Sequence, residues 1–377
     1  MTTIEVRPVR TARERRTFLT FPWRVYKNDP LWIPPLLPEH AKTIDPKHGA
    51  FFKRGGEAEF FIAWRDGKPV GTICAAEDDP TNKMRGTKEC MFGFLEYIED
   101  YAVFEALVNR AIEWGESRGL DALFGPFNLD YEDSYGVLIE GRDRPPALLC
   151  GHTPPYYQGF MERFGFPPAR ADNIALVIDI DKDTPALQRL SRLAEKVRQK
   201  GTVVLREADM AHLDDEIDRI HRLLNAALAH LPDAIGWHRE AVEALVAPFR
   251  DIADPELVLF ADVDGETVGW LPGIANLNEV FAHVNGLRYP WNYVSLLWHM
   301  RRQTESLTVK SVLVLPKYWR TGVAVLLFDE MAKRARAKGY KWIDLSITSE
   351  DNPQTLLIGE HMGAKIYKRW RVYRLAI

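Results

Sequence analysis

A nine-residue pattern that occurs twice constrains the fold of this chain more than any other part of its sequence. The pattern A-x-x-D-G-x-x-V-G covers residues 63–71 and again residues 261–269, so the two copies lie 198 positions apart (261 − 63 = 198). In each copy the Asp-Gly pair stands between two apolar runs, which is the strongest short-range indication of a β-hairpin. Phe164-Gly165 and Met362-Gly363 match at the same offset. The chain is therefore expected to contain two homologous domains.

Both copies alternate strand and helix patterns, which predicts an α/β fold of the α+β type with mixed sheets. The expected parts are a first domain at residues 1–181, a linker helix at residues 182–200 and a second domain at residues 201–377. The linker contains Thr184-Pro185, an N-cap residue followed by proline at the first helical position. Residues 174–180 are expected to be the strand that closes the first domain, and residues 365–375 the strand that closes the second.

Residues 311–338 predict a strand, a tight loop and a helix. Residues 312–315 are aliphatic, as in a buried strand, and Pro316 ends that strand because it has no N–H to donate. Apolar residues then recur at helical spacing from residue 323 onward. A helix that starts at Gly322 has first-turn N–H groups without intrahelical partners, and such an end can bind an anion through main chain alone. An ordinary strand–helix unit without a ligand has the same pattern.

This stretch resembles motif A of the GNAT superfamily of N-acetyltransferases. In that motif a strand ending V-x-P is followed by (Q/R)-x-x-G-x-(G/A), and the loop amides hold the pyrophosphate of acyl-coenzyme A (acyl-CoA). The match here is Val314-Leu315-Pro316 and then Trp319-Arg320-Thr321-Gly322-Val323-Ala324, with Trp319 where Gln or Arg is usual. The resemblance covers both halves, which implies two tandem GNAT-like domains, and only the second half carries a usable motif A. It implies acetyl-CoA or acyl-CoA as cosubstrate, and no metal.

The resemblance also implies which residues form the site. The cofactor-binding residues would be Val314, Trp319, Arg320, Thr321, Gly322, Val323, Ala324 and Asn352, the last at the asparagine of the family's motif B. Val314 and Asn352 would also be catalytic, because the main-chain N–H near Val314 would polarise the thioester carbonyl as an oxyanion-hole donor does. For Asn352 a helix N-cap is the alternative role.

The residues that transfer protons stay open. The tyrosine that protonates the leaving thiolate in many family members should lie seven residues after Asn352, and this chain has Gly359 there. Candidates for the missing group lie on an insertion at residues 274–306: Glu279 and His283, with Asn276 and Asn278. On the strand at residues 342–348, Asp344, Ser346 and Thr348 share one face, which suits a site or a solvated surface equally.

The first copy lacks the glycine loop. Its strand at residues 91–97 leads to Glu96, Glu99 and Asp100 before the next helix, with no glycine. Three carboxylates at a helix N-terminus satisfy the helix dipole and would repel a pyrophosphate. We therefore expect the first domain to bind no acyl-CoA and to serve as a scaffold or as a wall of the acceptor pocket.

The insertion is rich in aromatic and basic residues. Trp291, Val294, Leu297, Trp298 and Arg301 recur at helical spacing. Three roles fit this composition: a lid over an apolar channel, a segment that contacts lipid at the headgroup boundary, and packing between the two domains.

Composition limits the remaining classes of protein. A formal net charge of -4 argues against a general nucleic-acid binder. Three cysteines without metal-site spacing are expected to be free thiols in a reducing compartment. The N-terminus is polar, and no apolar run approaches the roughly 20 residues of a membrane helix. We expect a cytoplasmic protein whose membrane contact, if any, is peripheral.

Together these features predict an acyl-CoA-dependent N-acyltransferase that moves an acetyl or longer acyl group to an amine. The donor is expected in the second domain, and the acceptor, a small-molecule or lipid-like amine, near the domain junction. Residues 21–36 and the following D-G-K-P-V-G resemble bacterial double-domain proteins that acylate long-chain amines, including ceramide-synthase-like enzymes. A catalytically silent ligand-binding protein with the same fold is the alternative, and the oligomeric state stays open.

Overall fold

Two mixed β-sheets form the framework of the molecule. The computed structural model describes residues 3–129, 136–146, 148–229, 237–250, 252–352, 356 and 359–377. The first sheet has the strand order β1 (Glu5–Pro8), β2 (Glu57–Arg65), β3 (Lys68–Glu77), β4 (Glu89–Tyr97), β5 (Ala122–Gly125) and β15 (Tyr373–Ala376). The second has the order β6 (Val137–Glu140), β14 (Lys365–Arg371), β7 (Asn173–Asp179), β13 (Trp342–Ser349), β11 (Ser306–Val309), β10 (Glu266–Ala275), β9 (Val258–Val263) and β8 (Val204–Glu207), and β12 (Leu313–Val314) also pairs with β10.

Helices cover these sheets and connect their strands. The helices are α1 (Ala12–Thr20), α2 (Pro22–Val25), α3 (Leu37–Thr43), α4 (Ala50–Lys53), α5 (Asp79–Arg85), α6 (Tyr101–Glu116), α7 (Tyr156–Phe164), α8 (Pro185–Arg198), α9 (Leu213–Leu228), α10 (Arg239–Val246), α11 (Asn278–Phe281), α12 (Pro290–His299) and α13 (Val323–Ala337). Within the described residues, no helix combines the length and the apolar character needed to cross a bilayer.

The predicted repeat appears as two hairpins of identical register. Ala63 lies opposite Gly71 in the β2–β3 pair, and Ala261 lies opposite Gly269 in the β9–β10 pair. Both Asp-Gly pairs have positive φ at each residue, as the two central positions of a type I′ turn require. The tandem α/β prediction is confirmed at this level.

The two sheets exchange strands. The strand expected to close the first domain, residues 174–180, is β7, and it pairs with β13 and β14 in the second sheet. The expectation that this strand closes the first domain is therefore wrong, because the strand lies in the second sheet. Nearly every residue of β7 is buried, and a strand buried on both faces has a continuous apolar sequence that carries no information about which sheet receives it.

The C-terminal strand is also shared between the sheets. Residues 365–375 were expected to form one strand, but they form β14 and β15, which are separated at Val372. β14 lies beside β7, whereas β15 crosses to the first sheet and pairs with β5. At the crossing Arg371 donates two hydrogen bonds of 2.8 Å to the carboxylate of Asp172. The proposed boundaries at residues 181 and 201 divide the sequence into two parts. Each sheet, however, contains strands from both parts.

The linker helix forms where the sequence predicts it. Thr184 Oγ1 caps α8 by accepting from Leu187 N–H at 3.2 Å. α8 packs along α13, where Ser191 and Arg198 bond the buried carboxylate of Asp329 at 2.7 and 2.8 Å. This packing brings α8 to the start of α13, beside the predicted anion loop.

Candidate active site

Neighbouring strands of the second sheet separate at its centre. β11 pairs in parallel with β13 up to Val309 and Leu345. Beyond that point β13 continues beside β7, while Leu313 and Val314 of β12 pair with β10 on the opposite side. Residues 310–312 bridge β11 and β12 where the ladder with β10 is interrupted. A gap therefore opens between the end of β12 and the second half of β13.

The N–H of Val314 is directed toward this gap. Gly269 is its partner across the β10–β12 pair, and Leu315 N–H donates to Val268 O at 2.9 Å. That bond makes the Gly269–Val314 pair a non-hydrogen-bonded one, in which the main-chain groups of Val314 point away from β10. The role of Val314 as an oxyanion-hole donor stays a prediction, and this orientation of its N–H is the one that the role needs.

The loop after β12 is folded back on the strand by one aromatic side chain. Trp319 Nε1 donates to Val314 O at 2.8 Å, and this bond holds the indole beside the gap. The rest of the loop is held by main-chain bonds: Tyr318 N–H to Leu315 O at 2.8 Å and Thr321 N–H to Tyr318 O at 3.1 Å. Trp319 therefore contacts the strand whose end the resemblance assigns to the cosubstrate.

The start of α13 has the geometry of an anion site. Gly322 is the N-cap residue with φ of 93°, and the first intrahelical bond runs from Leu326 N–H to Gly322 O at 3.0 Å. The N–H groups of residues 323–325 precede that bond and have no acceptor within the helix. The first turn carries no acidic residue. A Cβ at Gly322 would lie 2.4 Å from Val197 of α8, so close packing as well as backbone conformation requires glycine here.

A largely apolar cavity of about 490 Å³ opens from the gap; we call it the C-terminal cavity. Its walls come from α9, α10, β10, the break between β11 and β12, and the second half of β13. Its apolar lining includes Leu213, Ile220, Leu224, Trp237, Phe249, Phe260, Trp270, Val312 and Ile347. Its volume lies in the range of about 300–1,000 Å³ that is typical of small-molecule sites.

A buried polar cluster lies where the C-terminal cavity meets β13. Lys310 Nζ donates to Ser346 Oγ at 3.1 Å, and Ser346 Oγ in turn donates to Asp344 Oδ2 at 2.5 Å. Tyr367 OH donates to the other carboxylate oxygen of Asp344 at 2.7 Å. Cys150 Sγ, from the first half of the chain, lies 3.4 Å from Ser346 Oγ and 3.5 Å from Lys310 Nζ. We call these five residues the polar cluster.

Burial and charge act against each other in the polar cluster. Burial raises the pKa of Asp344, while the Lys310 charge and the hydrogen bonds from Ser346 and Tyr367 oppose the rise. Burial also raises the pKa of the Cys150 thiol, again against the Lys310 charge. A carboxylate with a raised pKa, linked through a serine hydroxyl to a cavity, can accept a proton from a ligand in that cavity.

Two of the five residues of the polar cluster were singled out from the sequence. Asp344 and Ser346 share a face of β13 and are hydrogen-bonded to each other, and Thr348 lines the C-terminal cavity. Lys310, Cys150 and Tyr367 were missed. Lys310 alone carried a signal, as an isolated cation between two apolar runs. Cys150 reaches the cluster only through the strand exchange, which local pattern does not reveal.

The corresponding gap in the first sheet is closed by its own chain. Phe127 N–H donates to Phe92 O at 2.8 Å, and Asn128 Oδ1 accepts from Phe94 N–H at 2.7 Å. Asp100 then caps α6 directly, accepting from Ala102 N–H at 3.0 Å and from Arg65 at 2.7 Å. The prediction that acidic residues occupy this helix start holds for Asp100, whereas Glu96 faces elsewhere.

Glu96 lines a second cavity, of about 360 Å³, which we call the junction cavity. Residues 32–36, the end of β4, residues 148–153 and α11 form its walls, so both halves of the chain contribute. Leu149 lines this cavity and the C-terminal cavity, and Cys150 of the polar cluster also lines it. The two cavities approach each other at these two residues.

Two ionisable groups face the junction cavity. Burial raises the pKa of Glu96 to about 7, although Tyr157 OH donates to it at 2.7 Å. His152 is almost fully buried, and its Nε2 lies 2.8 Å from Asp29 Oδ2. Its Nδ1 has no hydrogen-bond partner among the described residues. Burial lowers the pKa of His152 while Asp29 opposes the shift, so the imidazole is neutral near pH 7.

Asn352, the predicted motif B residue, makes one main-chain bond of a helical turn. Asn352 O accepts from Leu356 N–H at 3.3 Å, as expected of an N-cap residue, so the structure supports that role for its main chain. Part of the helix predicted at residues 353–361 lies outside the described residues, and 359–361 are helical. At Gly359 a Cβ would come within 2.9 Å of Leu176 on β7. A larger side chain at this position would have to displace the end of the Leu176 side chain on the exchanged strand.

Glu279 and His283 do not line either cavity as the structure defines them. The Glu279 carboxylate accepts from the N–H of Glu305 at 2.7 Å and of Ser306 at 2.9 Å, which anchors the start of β11. The His283 ring stacks on His299 with centroids 4.2 Å apart. Both residues hold the insertion together, and this geometry gives no support to the predicted catalytic roles.

The insertion helix α12 is exposed on one side. Trp291, Val294 and Leu297 keep 64%, 69% and 67% of their surface accessible. Packing between the domains is therefore the wrong role for this face. The preceding turn does pack on the first half, where Trp23 Nε1 donates to Asn285 Oδ1 at 2.6 Å.

Comparison with known proteins identifies the class. Residues 218–362 match the Acetyltransferase (GNAT) family. The fold also matches a tandem GNAT protein from the clavulanic acid biosynthesis pathway, with a TM-score of 0.57 at 12% identity over 99% of this chain and 98% of that one. A GCN5-related N-acetyltransferase from Sphaerobacter thermophilus matches with a TM-score of 0.52 at 15% identity over 99% and 95%. The chain belongs to the GNAT family, as a tandem two-domain member.

Two full-length relatives narrow the position within the family. The chain is 31% identical to the bacterial ceramide synthase of Caulobacter vibrioides over 380 residues, which cover 99% of this chain and 98% of that protein. It is 26% identical to Protein YghO of Escherichia coli, over 99% of this chain and 95% of that one. The similarity to ceramide-synthase-like proteins expected from residues 21–36 is confirmed, and an acyltransferase is the activity that the family supports.

Proposed function

We propose that this protein is an acyl-CoA-dependent N-acyltransferase that transfers a long acyl chain to the amine of a lipid-like acceptor. The single observation that carries the proposal is the gap between β12 and β13. The start of α13, the N–H of Val314 and the apolar C-terminal cavity all lie beside this gap. The full-length similarity to a protein named bacterial ceramide synthase supports a long-chain product.

The donor is assigned to the second domain. The N–H groups at the start of α13 and the exposed Arg320 beside them suit the pyrophosphate of acyl-CoA. The thioester would then lie in the gap, with its carbonyl oxygen toward the N–H of Val314. Trp319 has to share or yield its bond with Val314 O when the pantetheine arm enters, so we expect this indole to respond to donor binding.

The polar cluster supplies the proton transfers in this proposal. The acceptor nitrogen attacks the thioester carbon, and the C–S bond breaks as the amide forms. Ser346 Oγ accepts the proton that leaves the nitrogen and passes its own to Asp344, whose raised pKa suits a proton acceptor. The Lys310 ammonium, which contacts Ser346, protonates the departing thiolate. These groups take over the role left empty at Gly359.

The two cavities divide the substrates. The C-terminal cavity is largely apolar and suits an alkyl chain, because burial of each methylene stabilises the complex by roughly 0.8 kcal/mol. The junction cavity is lined by Glu96, by His152, which contacts Asp29, and by apolar side chains, and this lining suits an amine headgroup with a hydrocarbon tail. The acceptor would reach the thioester past Leu149 and Cys150. Because acyl-CoA is an intracellular cosubstrate, the proposal keeps the protein in the cytoplasm, and a lipid-like acceptor requires peripheral contact with a membrane.

Turnover of paired substrates tests the proposal. Purified protein is incubated with a long-chain amine and either acetyl-CoA or a long-chain acyl-CoA, and thiol release and amide mass are measured together. We expect amide formation with the long-chain donor at a kcat/KM at least about tenfold above acetyl-CoA, as each lost methylene contact weakens binding. Donor binding without any amide product would favour the catalytically silent alternative.

A further inference from the structure

One helix of the insertion, α12, has its polar face toward the protein and its apolar face toward solvent. On α12 the polar residues Asn292, Ser295 and His299 are spaced at helical intervals and face the protein. Asn292 is buried and accepts from Tyr289 N–H at 2.9 Å, and Ser295 Oγ donates to His283 O at 3.0 Å. The polar side of α12 thus attaches the helix to the rest of the insertion.

The opposite side is apolar and open to solvent. It carries Trp291, Tyr293, Val294, Leu297 and Trp298, all exposed, with Met300 exposed just after the helix. No other stretch of the described residues gathers so many exposed large apolar side chains. A soluble amphipathic helix has the reverse arrangement, so this face indicates an apolar or interfacial environment.

Asp and Glu are absent from the segment that carries this face. Residues 280–304 contain Arg288, Arg301 and Arg302 and no Asp or Glu, in a chain whose formal net charge is -4. Arg301 and Arg302 are exposed, and the guanidinium of Arg302 lies 3.6 Å from the centroid of the Trp298 ring. Indole and guanidinium groups beside an aliphatic face are the composition of a helix that lies at the headgroup level of an anionic bilayer.

We propose that the face formed by residues 291, 294, 297, 298, 301 and 302 docks the protein on an anionic lipid surface. A second copy of the chain fits less well. A two-fold dimer through this face would bring its arginines against those of the partner, and residues 280–304 supply no acidic residue to pair with them. Phosphate-bearing headgroups supply the missing anions.

The position of α12 connects the surface to the junction cavity. α12 follows α11, whose Asn278 and Phe281 line that cavity. The intervening turn is fixed to the first half, where Gly286 packs so closely that a Cβ would lie 2.4 Å from Pro35 O. A chain taken from the lipid phase at α12 would therefore enter the cavity assigned to the acceptor, and this last link rests on the proposed function.

Vesicle flotation tests the surface without any substrate, so its outcome is independent of the proposed reaction. The full chain is mixed with phosphatidylcholine vesicles that contain either no anionic lipid or about 30% phosphatidylglycerol. We expect binding to the anionic vesicles that falls at about 0.5 M salt, because screening removes the arginine contribution. The double variant Leu297→Gln, Trp298→Gln should bind at least about tenfold more weakly, because the apolar contact area is lost.

Two further variants separate the contributions. Val204→Gln changes a residue that is 63% exposed on an edge strand elsewhere and should bind vesicles like wild type. Arg301→Ala with Arg302→Ala should lose the preference for anionic lipid while thermal stability stays unchanged. Vesicle binding that is unaffected by the Leu297, Trp298 variant would overturn the proposal. So would a wild-type chain that forms a dimer dependent on Leu297 and Trp298 and does not float with vesicles.

Discussion

The two halves of the molecule share one hairpin register and differ at the gap beside their central strands. In the first sheet Phe127 and Asn128 fill the gap, and Asp100 caps the following helix. In the second sheet the gap opens into an apolar cavity, and α13 starts at Gly322 with no acidic residue in its first turn. The same fold is closed by its own chain in one copy and opens into a cavity in the other. We therefore expect the function of this chain to depend on the open gap of the second copy.

The largest effect is expected from closing the second gap. Gly322→Asp places a carboxylate at the helix start, as Asp100 does in the first copy, and should weaken acyl-CoA binding by more than about 100-fold, because like charges repel and the dipole is already satisfied. Titration calorimetry measures the affinity.

Gly339→Asp is the matched control: Gly339 lies at the other end of α13, also has positive φ and has nothing within 4 Å of its would-be Cβ. Since Gly322 packs on Val197, Thr321→Glu at the exposed neighbouring position gives a second variant that avoids this contact. Unchanged affinity in both variants would contradict the assignment of the loop.

The next effect concerns chemistry in the open gap. Asp344→Asn keeps the size of the side chain and removes the proton acceptor, so kcat should fall by roughly 100-fold while acyl-CoA affinity changes little. Steady-state kinetics and calorimetry separate the two quantities. Asp329→Asn, at a buried carboxylate between α8 and α13, should affect stability and leave kcat of the folded enzyme near wild type. An equal loss of kcat in both variants would remove Asp344 from the proton path.

A smaller effect is expected at the wall of the junction cavity. The folded pKa of Glu96 is about 7 against an ordinary 4.5, so the folded chain holds this proton more tightly than the unfolded chain. The stability from protonated Glu96 is complete below about pH 4.5 and is lost as the pH rises through about 7. Glu96→Gln should therefore raise the free energy of unfolding at about pH 8 by about 2 kcal/mol and change it little at about pH 5. Urea unfolding at both pH values checks this, with Glu99→Gln at a nearby exposed carboxylate as control. A gain of equal size at both pH values would show that titration is not the cause.

The smallest effect should come from the closed gap of the first sheet. Replacing Glu99 with Gln and Asp100 with Asn removes two acids from the start of α6. The free energy of unfolding should fall by at most about 1 kcal/mol, because the asparagine at position 100 can still cap the helix. Donor affinity should be unchanged, and calorimetry on the same preparation would show it. A marked change in affinity would place the cosubstrate in the first domain.

Local chemistry explains which features the sequence could predict. Asp-Gly turns, the Thr184 cap and the strand–loop–helix at Gly322 are each encoded within a few residues, and the structure forms all of them. The strand exchange was not predictable in this way, since β7 and β15 pair with strands more than 150 positions away in sequence. The polar cluster depends on that exchange, because it brings Cys150 beside Ser346. The predicted roles of Glu279 and His283 rested on residue type alone, whereas their hydrogen bonds and stacking hold the insertion in place.

The number of acyl-CoA molecules bound per chain tests the central comparison most directly. Calorimetric titration of wild type, Gly322→Asp and the Glu99, Asp100 variant with one long-chain acyl-CoA gives this number for the open and the closed gap. We expect one molecule per chain in wild type, loss of binding in Gly322→Asp and full binding in the variant of the first copy. Two molecules per chain, or one that persists in Gly322→Asp, would contradict it.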